Sequence, residues 1–273
     1  MVRRARHGLR CATVTPHLRT SVDGAIATLL IDRPDKRNAM SLQMWGSLPA
    51  LVEQVCADPG VRVLIVAGAR RGVFSAGADI AEFPGLRSEV PTGRHYSATI
   101  RAGQVAVVEA RVPTIAAISG TCLGGGCGLA LACDLRIADD AARMGIPAGR
   151  LGIVYSLPST KRLVDVVGPA WAKQMLLTAD PVDAATALRI GLVNEVHPYD
   201  ALWPRVRELA GRIAKRSSFS VESSKKIVNR VIAGQVADDG ECQSLYDASY
   251  VAEEYQAGVA GFLGKPEAPT SAP

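Results

Sequence analysis

The sequence predicts an α/β protein, with a layered core of repeated ββα-like units and a C-terminal region that is almost entirely helical. Three observations carry this expectation. Residues 61–67 form a nearly continuous β-branched and apolar run, as expected of a strand buried on both faces. From Val112 to Cys133 no charged residue occurs for 22 positions, yet Pro113, five glycines and three hydroxyl residues divide the stretch into a buried strand, a turn and a buried helix. From about Trp203 onward apolar residues recur at helical spacing, over roughly 203–216, 220–233 and 240–263.

The elements follow in order. Residues 25–31 read as a strand ending at the turn signal Asp32-Arg33-Pro34. Ser41 is an N-cap for a helix over 42–57, whose stripe is Trp45, Leu48, Leu51, Val52 and Val55. The strand at 61–67 leads into a polar, glycine-bearing loop over 68–79. A helix over 95–110, a strand over 114–118, a small-residue helix over about 126–133 and a strand over 135–138 complete the part that local pattern resolves. This divides the chain into a basic, disordered tail (1–20), an α/β core (21–200), a helical region (201–265) and a frayed, proline-rich end (266–273).

Composition removes several function classes. The 273 residues are 48% apolar and 21% charged, as in ordinary globular proteins, and only 5% aromatic, so the core relies on Val, Leu, Ile and Ala. The net charge of +5 is accounted for by five arginines in the first 20 residues, which hold no acid. The rest is balanced, so no basic face for nucleic acid is expected. The glycine interruptions of the charge-free stretch argue against a membrane span, and a cytoplasmic protein is expected. Six cysteines without a CxxC pair or a nearby histidine are expected to be free thiols, and no metal site is expected. No G-x-G-x-x-G follows a strand and no G-x-x-x-x-G-K-[ST] occurs, which disfavours dinucleotide and P-loop binding.

Two turns carry the chemistry. Phe74-Ser75-Ala76-Gly77-Ala78-Asp79-Ile80 lies just after a buried strand, where glycine lets the following N–H groups face a cleft. Gly124-Gly125-Gly126 opens a helix, where backbone amides and the helix dipole favour negative charge. The two lie 47 residues apart. With Asp32-Arg33-Pro34, Asn38-Ala39, Leu151-Gly152, Leu177-Thr178, the run 187–196 (ALRIGLVNEV) and the run 258–265 (GVAGFLGK), their order and spacing resemble the crotonase (enoyl-CoA hydratase/isomerase) superfamily over residues 22–264.

The resemblance implies a crotonase-like ββα spiral core with a C-terminal helical trimerisation region, assembled as a homotrimer or dimer of trimers. It implies an acyl-CoA thioester as substrate, coenzyme A as part of that substrate, and no permanently bound cofactor. Matched by motif, the N–H groups of Ala78 and Gly125 would receive the thioester oxygen. The CoA adenine would lie near Ala76, its phosphates near Lys36 or Arg37, and Phe262 and Lys265 would reach a neighbouring subunit's CoA.

The chain departs from the pattern where proton transfer is expected. Hydratases of this family use two glutamates, and the matching positions here are Gly128 and Ala148. Tyr155, in the run 151–155, resembles a tyrosine of the methylmalonyl-CoA decarboxylase branch, which carries histidine at the Ala78 position and glutamate at the Gly128 position. Three readings follow: an acyl-CoA lyase or isomerase, a decarboxylase-like lyase using Tyr155, and a non-catalytic acyl-CoA-binding homologue. Asp79, Glu82, His95, Tyr96, Ser119 and Arg150 also lie in or near the expected cleft loops. Asp79 is expected to cap a turn, and Glu82 and His95 to be exposed.

Overall fold

The computed structural model describes residues 10–263 and falls into two compact units, divided between Ile213 and Ala214. The strands are β1 (Arg10–Thr15), β2 (Leu18–Asp23), β3 (Ile26–Ile31), β4 (Val63–Gly68), β5 (Val73–Ser75), β6 (Thr114–Ile118), β7 (Thr121–Leu123), β8 (Leu135–Asp139), β9 (Arg143–Gly145), β10 (Val182–Asp183) and β11 (Glu195–His197). The helices of the first unit are α1 (Leu42–Ala57), α2 (Phe83–Leu86), α3 (Val90–Val108), α4 (Gly125–Ala132), α5 (Leu157–Thr178), α6 (Ala184–Arg189) and α7 (Tyr199–Ala214). The second unit holds α8 (Ser218–Ile232), α9 (Gly240–Val251) and α10 (Glu253–Phe262).

The first unit is a two-sheet spiral. Its larger sheet runs β1-β2-β3-β4-β6-β8-β11, antiparallel among the first three strands and parallel from β3 onward. Its smaller sheet runs β10-β9-β7-β5, with β5, β7 and β9 parallel. Each turn of the chain therefore lays one strand in each sheet before a helix returns: β4 with β5, β6 with β7, β8 with β9. This is the ββα repeat expected from sequence. β4 and β6 are the most deeply buried strands, which is why they read as unbroken apolar runs rather than as alternation. α1 starts at Ser41, whose side chain accepts from the Met44 N–H. It buries the expected stripe together with Met44, and packs on α3.

Four expectations need correction. Residues 1–20 are not all tail: β1 and the start of β2 lie within them, paired antiparallel at the sheet edge. Leu18 and Thr20 point inward while Arg19 points out, an alternation too short to register against the arginines around it. Residues 1–9 and 264–273 lie outside the described residues. The core does not end at 200, because α7 buries Leu202, Val206 and Ala210 at helical spacing and belongs to the first unit. The expected loop over 68–79 contains β5, a three-residue strand recognisable only from its pairing with β7. The single helix expected over 240–263 is two, because Ala252 is extended (φ −66°, ψ 132°) and α10 restarts with Glu253 and Glu254 in its first turn, where the dipole favours acids. α5 was not anticipated as an element at all; Pro158 stands in its first turn, and Gly168 (φ 74°) with Pro169 interrupts it midway.

Among the described residues no helix is long and apolar enough to cross a membrane, and no three His, Cys, Asp or Glu side chains gather as a metal site would require.

Candidate active site

The first turn is held rigidly. Asn38, itself left-handed (φ 56°), donates from Nδ2 to the carbonyls of Val73 (3.2 Å) and Phe74 (3.1 Å). Ser75 Oγ donates to the Asn38 carbonyl (2.8 Å) and accepts from the Gly77 N–H (3.1 Å). Met40 then grips either side of Ala78. Its N–H donates to the Gly77 carbonyl (2.7 Å), and its carbonyl accepts from the Asp79 N–H (3.0 Å). The Ala78 N–H between them donates to nothing among the described residues. Asp79 caps the following turn through the Ala81 N–H and pairs with Arg33 at 2.7 Å. Burial pulls its carboxyl upward, but the hydrogen bonds from Arg33 and Ala81 outweigh that and hold it below the usual carboxylate range. The Asp-Arg-Pro and Asn-Ala motifs therefore build the turn rather than touch a ligand.

The second turn meets the first. Gly124 (φ 52°, ψ −120°) donates to the Gly145 carbonyl (2.8 Å) and caps α4. Gly125 is the first residue of that helix, so its N–H has no intrahelical acceptor. It too donates to nothing among the described residues. A Cβ on Gly125 would lie 3.5 Å from the Ala78 nitrogen and 3.0 Å from Trp45 Cζ2. A Cβ on Gly77 would lie 2.7 Å from the Leu123 carbonyl oxygen and 3.1 Å from the Gly125 nitrogen. Gly126 faces Ser75, whose carbonyl oxygen would stand 2.7 Å from a Cβ there. The glycines let the two turns touch, and only part of the triplet is left bare for a ligand.

Ala78 and Gly125 open onto one cavity of about 170 Å³. Ala76, Ile80, Phe83 and Ile100 make its apolar walls, with Tyr96, Gln104, Pro147, Ala148, Tyr155 and Ser159 around the rest, and Arg87 and Arg101 also line it. Among the described residues no carboxylate lines it. The positions where the family resemblance implies glutamates are both at this site. Ala148 lines the cavity, and Gly128 sits one turn along α4 from Gly125.

The space that a side chain at Gly128 would take is filled. A Cβ there would lie 2.5 Å from Gln104 Nε2 and 2.9 Å from the Tyr155 hydroxyl. Gln104 comes from α3, and Tyr155 from the loop before α5. The Tyr155 hydroxyl is buried near Ser159 but makes no hydrogen bond of good geometry among the described residues, and the buried Tyr96 hydroxyl makes none either. Burial pushes the Tyr155 phenol well above its ordinary range. Tyr96 is pushed up to about 12, by burial first and then by the charge of Glu82. Gln104 Oε1 accepts from Ser159 Oγ and from Arg162 Nη1, each at 3.1 Å, and Ser156 Oγ donates to Ser159 Oγ at 2.9 Å. Restoring the family's glutamate alone, by Gly128→Glu, is therefore expected to destabilise the protein by about 1–3 kcal/mol through overpacking. Adding Gln104→Ala should recover part of that loss in a denaturant midpoint. Additive losses in the double variant would show that the two side chains do not compete for this space.

The structure brings Ala76, Ala78, Gly125 and Tyr155 together and places Arg37 beside them, its carbonyl accepting from the Ala76 N–H (3.0 Å). Lys36 and Arg37 are exposed and do not line the cavity. Phe262 is exposed in the second unit, and Lys265 lies outside the described residues. His95 is exposed, as expected. Glu82 is not: half-buried, it accepts from the Leu42 N–H (2.8 Å) and caps α1, a contact across 40 residues that no local pattern announces. Ser119 is structural, accepting from the Gly72 N–H and donating to Asp139. Arg150 pairs with Asp180 outside the cavity lining. Gln104, Ser159 and Arg162 were missed. For Gln104 a signal existed, since it continues the Tyr96–Ile100 stripe of α3 and is a polar residue on the buried face.

Comparison with known proteins assigns the family. Residues 21–270 match the Enoyl-CoA hydratase/isomerase family. A crotonyl-CoA hydratase of Syntrophomonas wolfei is 36% identical over 247 residues, covering 89% of this chain and 93% of that protein. A short-chain-enoyl-CoA hydratase of Clostridium acetobutylicum is 34% identical over 233 residues, covering 82% and 88%. The crystal structure of an enoyl-CoA hydratase/carnithine racemase from Magnetospirillum magneticum superposes with a TM-score of 0.87 at 31% identity, covering 94% of this chain and 97% of that one. The chain belongs to the enoyl-CoA hydratase/isomerase family, in the crotonase superfamily. It is an enzyme of that type.

Proposed function

We propose that this enzyme binds an acyl-CoA thioester and stabilises its enolate between the N–H groups of Ala78 and Gly125. The observation that carries the reading is the pair of amides without acceptors, on two touching turns, facing one cavity. An enolate oxygen gathers negative charge as the reaction proceeds, and fixed donors aimed at it need no reorganisation. Each is typically worth about 3–4 kcal/mol of barrier. CoA contacts near Ala76, Lys36 and Arg37 belong to the same reading. So does a trimer, or a dimer of trimers, built on the second unit, where Val236 and Phe262 are almost fully exposed.

A second reading, decarboxylation, is favoured by one observation: a cavity lined by no carboxylate among the described residues, with the Tyr155 hydroxyl making no hydrogen bond of good geometry beside Gly128. Loss of CO₂ from a 2-carboxyacyl thioester leaves its bonding electron pair as the enolate, so no base is needed. A donor must then return a proton to C2; in this reading Tyr155, a lining residue whose phenol stays protonated across the neutral range, gives that proton and recovers its own from water. The test is a panel of crotonyl-, 3-enoyl- and methylmalonyl-CoA. Turnover of at least one class is expected, and if it is the methylmalonyl ester, Tyr155→Phe should lower kcat by 10²-fold or more. An unchanged rate removes Tyr155 from the chemistry. Tight binding with no turnover across the panel would leave a thioester-binding protein that has lost the reaction.

A further inference from the structure

We infer that Gln104 is a specificity-determining residue that makes this site select acyl groups bearing a carboxylate. The inference rests on the thioester reading above and names the substrate class for it. It begins with the orientation of one amide. Two donors, Ser159 Oγ and Arg162 Nη1, converge on one oxygen of Gln104. That oxygen must be Oε1, because an amide NH₂ cannot accept from either group. The Nε2 end is thereby turned toward Gly128 and the cavity, and its hydrogens are donated to nothing among the described residues.

The amide is also a better donor than an isolated one. A cation on Oε1 polarises the group and strengthens its N–H bonds toward an acceptor. Along this wall the available groups are Gln104 Nε2 and the Tyr155 hydroxyl, 2.5 and 2.9 Å from the same point beside Gly128. The Gly125 N–H is one turn of α4 away, roughly 4.5 Å along the axis. A carboxylate at Gly128 would have accepted hydrogen bonds; what stands there instead offers them. Two lining cations add to these donors, while Glu82 and Asp79 act on Tyr96 from outside the lining. Arg87 and Arg101 line the cavity, form no ion pair among the described residues, and face no lining acid. Arg87 instead lies over the rings of Phe83 and Tyr96, at 5.0 and 5.7 Å. A plain enoyl or alkanoyl chain would leave these donors desolvated and unpaired, whereas a carboxylate held about one helical turn from the thioester oxygen would satisfy them.

The experiment compares butyryl-CoA with malonyl-CoA and succinyl-CoA, whose carboxylates stand on C2 and C3, by calorimetric titration of the full chain. At least one carboxyacyl ester is expected to bind about tenfold or more tightly than butyryl-CoA. Gln104→Glu keeps the shape and an acceptor for Ser159 and Arg162, but turns an oxygen toward the ligand. The ratio of carboxyacyl to butyryl affinity should then fall by at least about tenfold, while Gln104→Met, isosteric and without donors, gives a smaller fall. Butyryl-CoA binding as tightly as either carboxyacyl ester, or a ratio unmoved by Gln104→Glu, overturns the inference while leaving the thioester reading intact. Failure of all three esters to bind overturns the thioester reading itself.

Discussion

Gly125→Pro is expected to lower kcat on whichever thioester the enzyme turns over by about 10²- to 10³-fold, the loss typical of one oxyanion donor. Proline removes the amide hydrogen and sets its ring Cδ in that place. Gly125 is the first residue of α4, the helical position at which proline is best tolerated, and its N–H has no acceptor among the described residues to lose. The new side chain must still be accommodated, since a Cβ there approaches Trp45 Cζ2 to 3.0 Å, so the ring has to move by a few tenths of an ångström. Gly125→Ala makes the same demand and keeps the N–H. The difference between the alanine and proline variants therefore measures the loss of the donor together with the Cδ that takes its place, with thermal unfolding checking that both are folded. The loss should fall on kcat more than on KM, because the charge on the oxygen develops only as the enolate forms. Equal kcat values for the two variants would exclude this amide from the reaction.

The largest effect on stability is expected at Gly120, which with Ser119 carries the chain from β6 in one sheet to β7 in the other. It is left-handed (φ 63°), and a Cβ there would lie 2.1 Å from the Gly72 carbonyl oxygen. Neither backbone can yield easily. The same Gly72 oxygen accepts from Thr121 N–H, the Gly72 N–H donates to Ser119 Oγ, the Gly120 N–H donates to Asp139, and the Gly120 carbonyl accepts from Arg143 N–H. Gly120→Ala should cost on the order of 4 kcal/mol or more, well beyond most single substitutions. Gly24→Ala is the control. Gly24 is equally left-handed (φ 59°) but faces open space, so only the conformational penalty of about 1–2 kcal/mol remains. Denaturant midpoints separate the two, and similar losses would mean that the close approach to Gly72 is not maintained in solution.

How much of this was legible depended on the range of each interaction. α1, β3, β4, β6 and α4 were read almost to the residue, because burial on one stripe or on both faces prints directly into local periodicity. The two turns of the site were legible for a related reason: glycine is needed wherever backbones approach closely, and both turns lie at strand ends. The short strands β5, β7 and β9 were not. Three residues carry no usable period, and what makes them strands is pairing with partners tens of residues away. The same holds for β1 and β2, where the exposed Arg19 between them obscured the inward Leu18 and Thr20.

The amino-acid sequence by itself determined the family, the ββα core and the pair of amides, because each rests on residues that are neighbours in the chain or on motifs in a set order. It also showed that Gly128 and Ala148 lack carboxylates. Only the tertiary structure decided what occupies the space at Gly128. A missing side chain leaves a volume, and that volume is filled by whatever packs against it: here a glutamine from α3, clamped by α5, and a tyrosine hydroxyl from the loop just before α5. Such packing couples segments more than twenty residues apart and leaves no local pattern to read.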